Sequence, residues 1–136
     1  MADHTFNLVK DCLNGAGIEI NGARIAALGL AFKGETGDLR ESPALRVVDR
    51  LVKNGANVIA YDPYTIHNEI AAAKSWKDAV TNADACVVLT EHNEFKKIKL
   101  EEMRSLMKNN CLIDARHVFE PKEARKNFAY RGIGRG

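Results

Sequence analysis

From Leu28 to Pro43 the chain runs from an apolar strand into a polar loop, with glycines at 29, 34 and 37, Lys33 and Arg40, and ends in Ser42-Pro43. Ser42 is a residue type that caps the first free N–H groups of a helix, and Pro43 suits the first helical position. Backbone donors and cations above the carboxyl end of a strand are what an open α/β sheet uses to bind a phosphorylated ligand. A further cation, Arg116, follows the apolar run Cys111–Asp114. Lys33 offers a compact positive charge, and Arg116 a planar fork that fits two phosphate oxygens.

Two familiar phosphate loops do not fit. Gly29 to Thr36 has the glycine spacing of a P-loop, but Glu35 stands where that motif needs Lys, and it would repel a triphosphate. The dinucleotide fingerprint fails because Gly29 is followed by Leu-Ala and not by a second glycine two positions on.

The surrounding pattern supplies the elements that must hold these residues. Residues 5–14 carry a partly apolar helical face, and Ala23–Leu28 is a first strand. Ala44, Leu45, Val47, Val48, Leu51 and Val52 recur at helical spacing, with Gly55 placed as the stop. Asn57–Tyr61 is a second strand, closed by Asp62-Pro63. A short helix runs from Ser75 to about Asn82, and Ala85–Thr90 is a third strand. A helix over 100–108 leads to the strand Cys111–Asp114, and a last strand covers Phe128–Arg131. This alternation predicts an α/β, Rossmann-like, doubly wound domain, with a mainly parallel sheet of about five strands and helices on both faces. Neighbouring strands lie about 4.8 Å apart, so a lysine after the first strand and an arginine after the Cys111 strand can reach one diphosphate.

The 136 residues suffice for one domain with a real core, and the net charge of +2 is too small to point to nucleic acid or membrane. No apolar run approaches the ~18 residues of a membrane span, and no signal peptide is visible. Cys12, Cys86 and Cys111 lack metal-type spacing and read as buried, reduced thiols, which fits the cytoplasm. His4, His67 and His117 likewise suggest no metal. Asp62 mimics the acid that holds a ribose in dinucleotide folds, although its pairing with Pro63 favours a turn-forming role. His92 lies at the crevice rim, within reach of a ligand, and reads as a solvated loop histidine; Thr90 and Glu91 can fix that loop. Trp76 reads as a packing anchor, and the basic segment from Tyr130 to Gly136 as a frayed tail.

The run Gly29-Leu-Ala-Phe-Lys33 with Asp38, Arg40, Glu41, Ser42 and Pro43 resembles the C-terminal domain of the UDP-glucose/GDP-mannose dehydrogenase family. The likeness continues at Tyr61-Asp62-Pro63, at Ala83-Asp84-Ala-Cys-Val-Val, at Thr90-Glu91-His92 with Phe95-Lys96, and at Ile113-Asp114-Ala115-Arg116. In all it covers residues 20 to 132. The resemblance implies that Lys33 and Arg116 bind a UDP-sugar around its diphosphate, with Phe32 against the ligand, and that Arg40 reaches towards NAD. It implies an NAD-dependent enzyme that oxidises a sugar-nucleotide alcohol to the carboxylate, reducing two NAD through a cysteine nucleophile. Nothing here resembles that cysteine's motif or the NAD-binding domain.

Residues 1–20 then look like the end of a linking helix from a central domain, and residues 21–136 like the UDP-sugar-binding domain. The chain is expected to be a part of the dehydrogenase and inactive alone, with no catalytic residue of its own. UDP-N-acetylmannosamine is the favoured substrate, UDP-glucose the second and GDP-mannose the third. The full-length enzyme is expected to be a homodimer or larger. A free-standing nucleotide-sensing or assembly module is the alternative. A phosphoacceptor receiver domain is disfavoured, because its strand-end acids are replaced here by Leu28-Gly29.

Overall fold

The computed structural model describes residues 2–31, 35, 42–67 and 69–133. Phe32, Lys33 and Arg40, three of the four candidate ligand residues, lie outside the described residues.

Among the described residues six strands form one parallel sheet, one more than the hydrophobic pattern predicts. They are β1 (Arg24–Leu28), β2 (Asn57–Tyr61), β3 (Ala71–Ala72), β4 (Ala85–Val88), β5 (Cys111–Asp114) and β6 (Ala129–Gly132), in the spatial order β3-β2-β1-β4-β5-β6. The extra strand is β3, two exposed alanines on the sheet edge, too short to leave a periodic signal. The register aligns Tyr61, Leu28, Val88, Asp114 and Gly132 in a single row across the sheet. Every loop that builds the candidate site leaves from this row or just above it.

Alternate strand residues face opposite sides, which divides the core in two. Ile25, Ala27, Val58, Val87 and Ile113 pack with α1 (Ala2–Gly15) and α2 (Pro43–Lys53). Ala26, Leu28, Cys86, Val88 and Leu112 pack on the other side against α3 (Trp76–Val80), α4 (Asn93–Lys96), α5 (Leu100–Leu106) and α6 (Pro121–Arg125). The handedness of parallel crossovers explains this division. The chain moves one way from β1 to β2 through α2, then reverses across β1 to β4, so later right-handed crossovers fall on the opposite face. That leaves half of the first face, over β4 to β6, without a crossover helix. There α1 packs on β4, β5 and β6, and also on α2. Its Val9 and Leu13 are fully buried, each worth roughly 1.5–3 kcal/mol of apolar transfer. Arg50 of α2 lies 4.5 Å over the Phe6 ring and pairs with Asp3, tying the two helices together.

Local signals act largely as their chemistry requires. Asn54 ends α2, and Gly55 follows at φ 91, where it satisfies helix carbonyls through Gly55 N–H to Val52 (3.0 Å) and Ala56 N–H to Leu51 (3.1 Å). Ser75 caps α3 by accepting from Asp78 N–H (3.1 Å). Trp76 is half-buried against the second core. All three cysteines are buried free thiols. Among the described residues no helix is long and apolar enough to cross a membrane, and no cluster of side chains could hold a metal.

Candidate functional site

The reversal of chain direction falls between β1 and β4, and the loops on either side of it form the site. Beyond Leu28 the backbone turns through Gly29 at φ 101, a conformation that favours glycine. Gly29 N–H still bonds Tyr61 O (2.8 Å), and Leu89 N–H bonds Leu28 O (2.8 Å). The next peptides leave the sheet while still buried, so their polar groups need other partners.

Side chains from three separate parts of the chain supply those partners. The Asp62 carboxylate accepts Leu30 N–H (2.8 Å) and Ala31 N–H (3.1 Å) on one oxygen, and Tyr64 N–H (2.8 Å) on the other. Thr90 donates its hydroxyl to Ala31 O (2.9 Å), and Ser42 donates to Leu30 O (2.6 Å). Ser42 does occupy the N-cap of α2, but its side chain makes no capping bond. This corrects the local capping role read from sequence: a buried carbonyl twelve residues back takes the hydroxyl instead.

His92 also departs from expectation. It is fully buried, not a solvated loop histidine. Its Nε2 lies 2.9 Å from the Asp62 oxygen, and its Nδ1 accepts Glu35 N–H at 2.9 Å. An N–H can only donate, so Nδ1 carries no proton and Nε2–H donates to Asp62: the ring is the neutral Nε2–H tautomer. Tyr64 and Phe95 flank it at ring-centroid distances of 4.9 and 5.5 Å. Glu35 itself sits at φ 61, and its carboxylate accepts from the Asn93 backbone (3.2 Å) and from Asn93 Nδ2 (2.7 Å). The Asn93 N–H holds the Glu35 carboxyl below its ordinary range against a smaller opposing effect of desolvation, and the Tyr64 hydroxyl adds to the lowering. Asp62 therefore does more than form a turn, and the acid that would hold a ribose in a dinucleotide fold is already engaged.

Across the switch point stands Arg116, the one candidate ligand residue among those described. Its guanidinium, a third exposed, pairs with Glu91 at 2.6 Å. The loop that carries it is braced by the fully buried Asp114 carboxylate. Asp114 accepts N–H groups from Arg116 (3.2 Å), Val118 (3.0 Å) and Phe119 (2.8 Å), and the Tyr130 hydroxyl (3.1 Å). Arg116 also borders a mainly apolar cavity of about 130 Å³, lined further by Thr5, Pro43, Ala44, Val47, Leu89 and Ala115. A guanidinium with one carboxylate partner and a partly exposed face retains donors for an anion.

Residues 26–121 match the model of the UDP-glucose/GDP-mannose dehydrogenase family, UDP binding domain. The chain belongs to this family. The UDP-glucose 6-dehydrogenase of Rhizobium meliloti is 40% identical over 127 residues, which make up 88% of this chain and 29% of that protein. The structure of the UDP-D-ManNAc dehydrogenase from Pyrococcus horikoshii superposes with a TM-score of 0.90 at 36% identity, covering 99% of this chain and 31% of the other. The NDP-N-acetyl-D-galactosaminuronic acid dehydrogenase from Methanosarcina mazei gives a TM-score of 0.92 at 35% identity, covering 98% and 29%. The chain thus spans about three-tenths of the length of these dehydrogenases. The parallel sheet and its switch point are those of the UDP binding domain of the family.

Sequence reasoning missed the Asp62–His92 link and the separate brace at Asp114, and it gave Thr90 only a local role. The available signal was position: each of these polar residues lies at or just beyond the carboxyl end of an apolar strand.

Proposed function

We propose that this chain is the UDP-sugar-binding part of an NAD-dependent nucleotide-sugar 6-dehydrogenase and is inactive alone. The observation that carries the reading is the Arg116 guanidinium, set beside the switch point on a loop rigidly braced by Asp114. In this reading Arg116 and Lys33 take the diphosphate from two sides, and Phe32 lies against the ligand. UDP-N-acetylmannosamine or UDP-glucose is the substrate, oxidised to the uronate.

NAD supplies the hydride acceptor, and it is held mainly outside this chain, with Arg40 reaching towards it. Consistent with this division, Asp62 is spent on Leu30, Ala31, Tyr64 and His92 and cannot hold a ribose. Of the three thiols here, Cys86 is also a poor nucleophile. All three are buried, and burial pushes Cys86 well above the ordinary thiol range. Residues 1–20 are then the end of the helix linking to the rest of the enzyme, and residues 21–136 the UDP-sugar domain. The whole enzyme is a homodimer or larger in the cytoplasm, where such thiols stay reduced.

The test is a ¹⁵N amide-shift titration with UDP and then GDP, on the wild type and on Lys33→Ala. Saturable shifts with UDP over residues 30–40 and 114–117, lost in Lys33→Ala, are the expected result. No shift with UDP would overturn the reading.

A further inference from the structure

We propose that His92 is a positioning residue for UDP binding: as the neutral Nε2–H tautomer it links Asp62 to the Glu35 backbone, fixing the chain that leaves β1. The inference rests on the reading of this domain as UDP-binding, and it assigns His92 no contact with the ligand.

Each end of the link holds a different part of the chain. Asp62 fixes the two peptides immediately after Gly29, through Leu30 N–H and Ala31 N–H. His92 fixes the chain four residues further on, through Glu35 N–H. Its bond to Asp62 (2.9 Å) makes the two anchors one unit. Phe32 and Lys33, the two proposed contacts, fall between those anchors in the sequence. Glu35 holds a left-handed conformation, which a residue with a side chain keeps only where its surroundings insist. Its carboxylate closes the arrangement by bonding Asn93, the residue after His92.

Only one protonation state serves both ends. Nδ1 must accept from Glu35 while Nε2 donates to Asp62, and complete burial of the ring removes water as a substitute partner. Anchors already fixed at Ala31 and Glu35 lose no further freedom when a ligand arrives between them. The link therefore contributes to affinity without touching UDP.

Two amide variants separate the two halves of the link. His92→Gln keeps a donor near the Nε2 position and loses the acceptor for Glu35; His92→Asn keeps an acceptor near Nδ1 and loses the donor to Asp62. In His92→Gln we expect UDP affinity to fall about fivefold and the Glu35 amide to exchange with solvent about tenfold faster. In His92→Asn the Glu35 amide stays protected, and affinity falls by about threefold, because the bond that joins the two anchors is lost. Unchanged UDP affinity in His92→Gln, with its Glu35 amide deprotected, would overturn the positioning role and leave the UDP reading intact. Failure of the wild type to bind UDP would overturn the UDP reading itself.

A wild-type measurement covers the case in which the variants do not fold. The ¹⁵N spectrum of the His92 ring near neutral pH should show a protonated Nε2 and a bare Nδ1, and both signals should shift with UDP at the same Kd as the Glu35 amide. A protonated Nδ1, or ring signals indifferent to saturating UDP, would sink the inference.

Discussion

Gly29 and Thr90 approach so closely that a Cβ built on Gly29 would stand 2.5 Å from the Thr90 Cβ and 2.8 Å from its backbone nitrogen. The contact joins the ends of the two central strands at the point where the chain changes direction. Gly29→Ala must either force backbone apart or abandon φ 101, and Thr90 cannot retreat without losing its bond to Ala31 O. The variant should lose about 2–4 kcal/mol of stability, read from urea unfolding. A loss below about 0.5 kcal/mol would mean that the turn is not held as described.

The Asp114 carboxylate is the second organising point. Asp114→Ala leaves three backbone N–H groups and the Tyr130 hydroxyl without their acceptor in a buried setting. A cost of about 3–5 kcal/mol is expected in urea unfolding. Amide shifts over 115–119 should move most, because those peptides hang from the one carboxylate.

How much of this was legible beforehand divides along the range of the interactions involved. The strand Cys111–Asp114, the α2 stripe and the stop at Gly55 depend on neighbours a few residues away, and the sequence pattern locates them. Ser42 shows where such reading ends. Its type and place before Pro43 announce a cap, yet its hydroxyl bonds Leu30 O, because the carbonyl is buried there and has left the sheet. His92 depends on partners thirty and fifty-seven positions away, and nothing local separates it from a solvated histidine. The short α4 and α6, like β3, are too brief for a period to show.

The packing of α1 makes the helix part of the cooperative unit. Leu13 is fully buried in the core shared with α2, β4 and β5. Leu13→Ala should cost about 2–5 kcal/mol and lower the single unfolding midpoint of the whole chain. A change confined to helix fraying, with the main transition unmoved, would show that α1 is only appended to the sheet domain.

Alkaline pH should destabilise the fold through Tyr61. Desolvation raises its phenol from 10.0 to about 12, with the hydrogen bond to Glu94 (3.0 Å) adding to the shift. Above pH 10 the unfolded chain has lost this proton while the folded one retains it, so stability is intact below about 10 and falls as pH rises towards 12. Tyr64 and the buried Cys86 are shifted in the same direction, so Tyr61→Phe should flatten the decline only in part. The difference between wild type and Tyr61→Phe, read in phenolate absorbance and in urea unfolding, isolates the Tyr61 contribution.

Arg116 offers the sharpest separation of binding from stability. Its pair with Glu91 is partly exposed, so the ion pair adds at most about 1 kcal/mol to the fold. Arg116→Ala should therefore unfold within about 1 kcal/mol of the wild type while binding UDP about tenfold more weakly, since a charge-assisted contact to phosphate is the larger loss. Arg116→Lys should recover only part of the affinity, because an ammonium cannot hold two phosphate oxygens in the fork that a guanidinium provides. The ordering wild type, then Lys, then Ala in a UDP titration is the expected result. Equal affinity in all three would remove Arg116 from the site and leave Lys33 as the only candidate for the diphosphate.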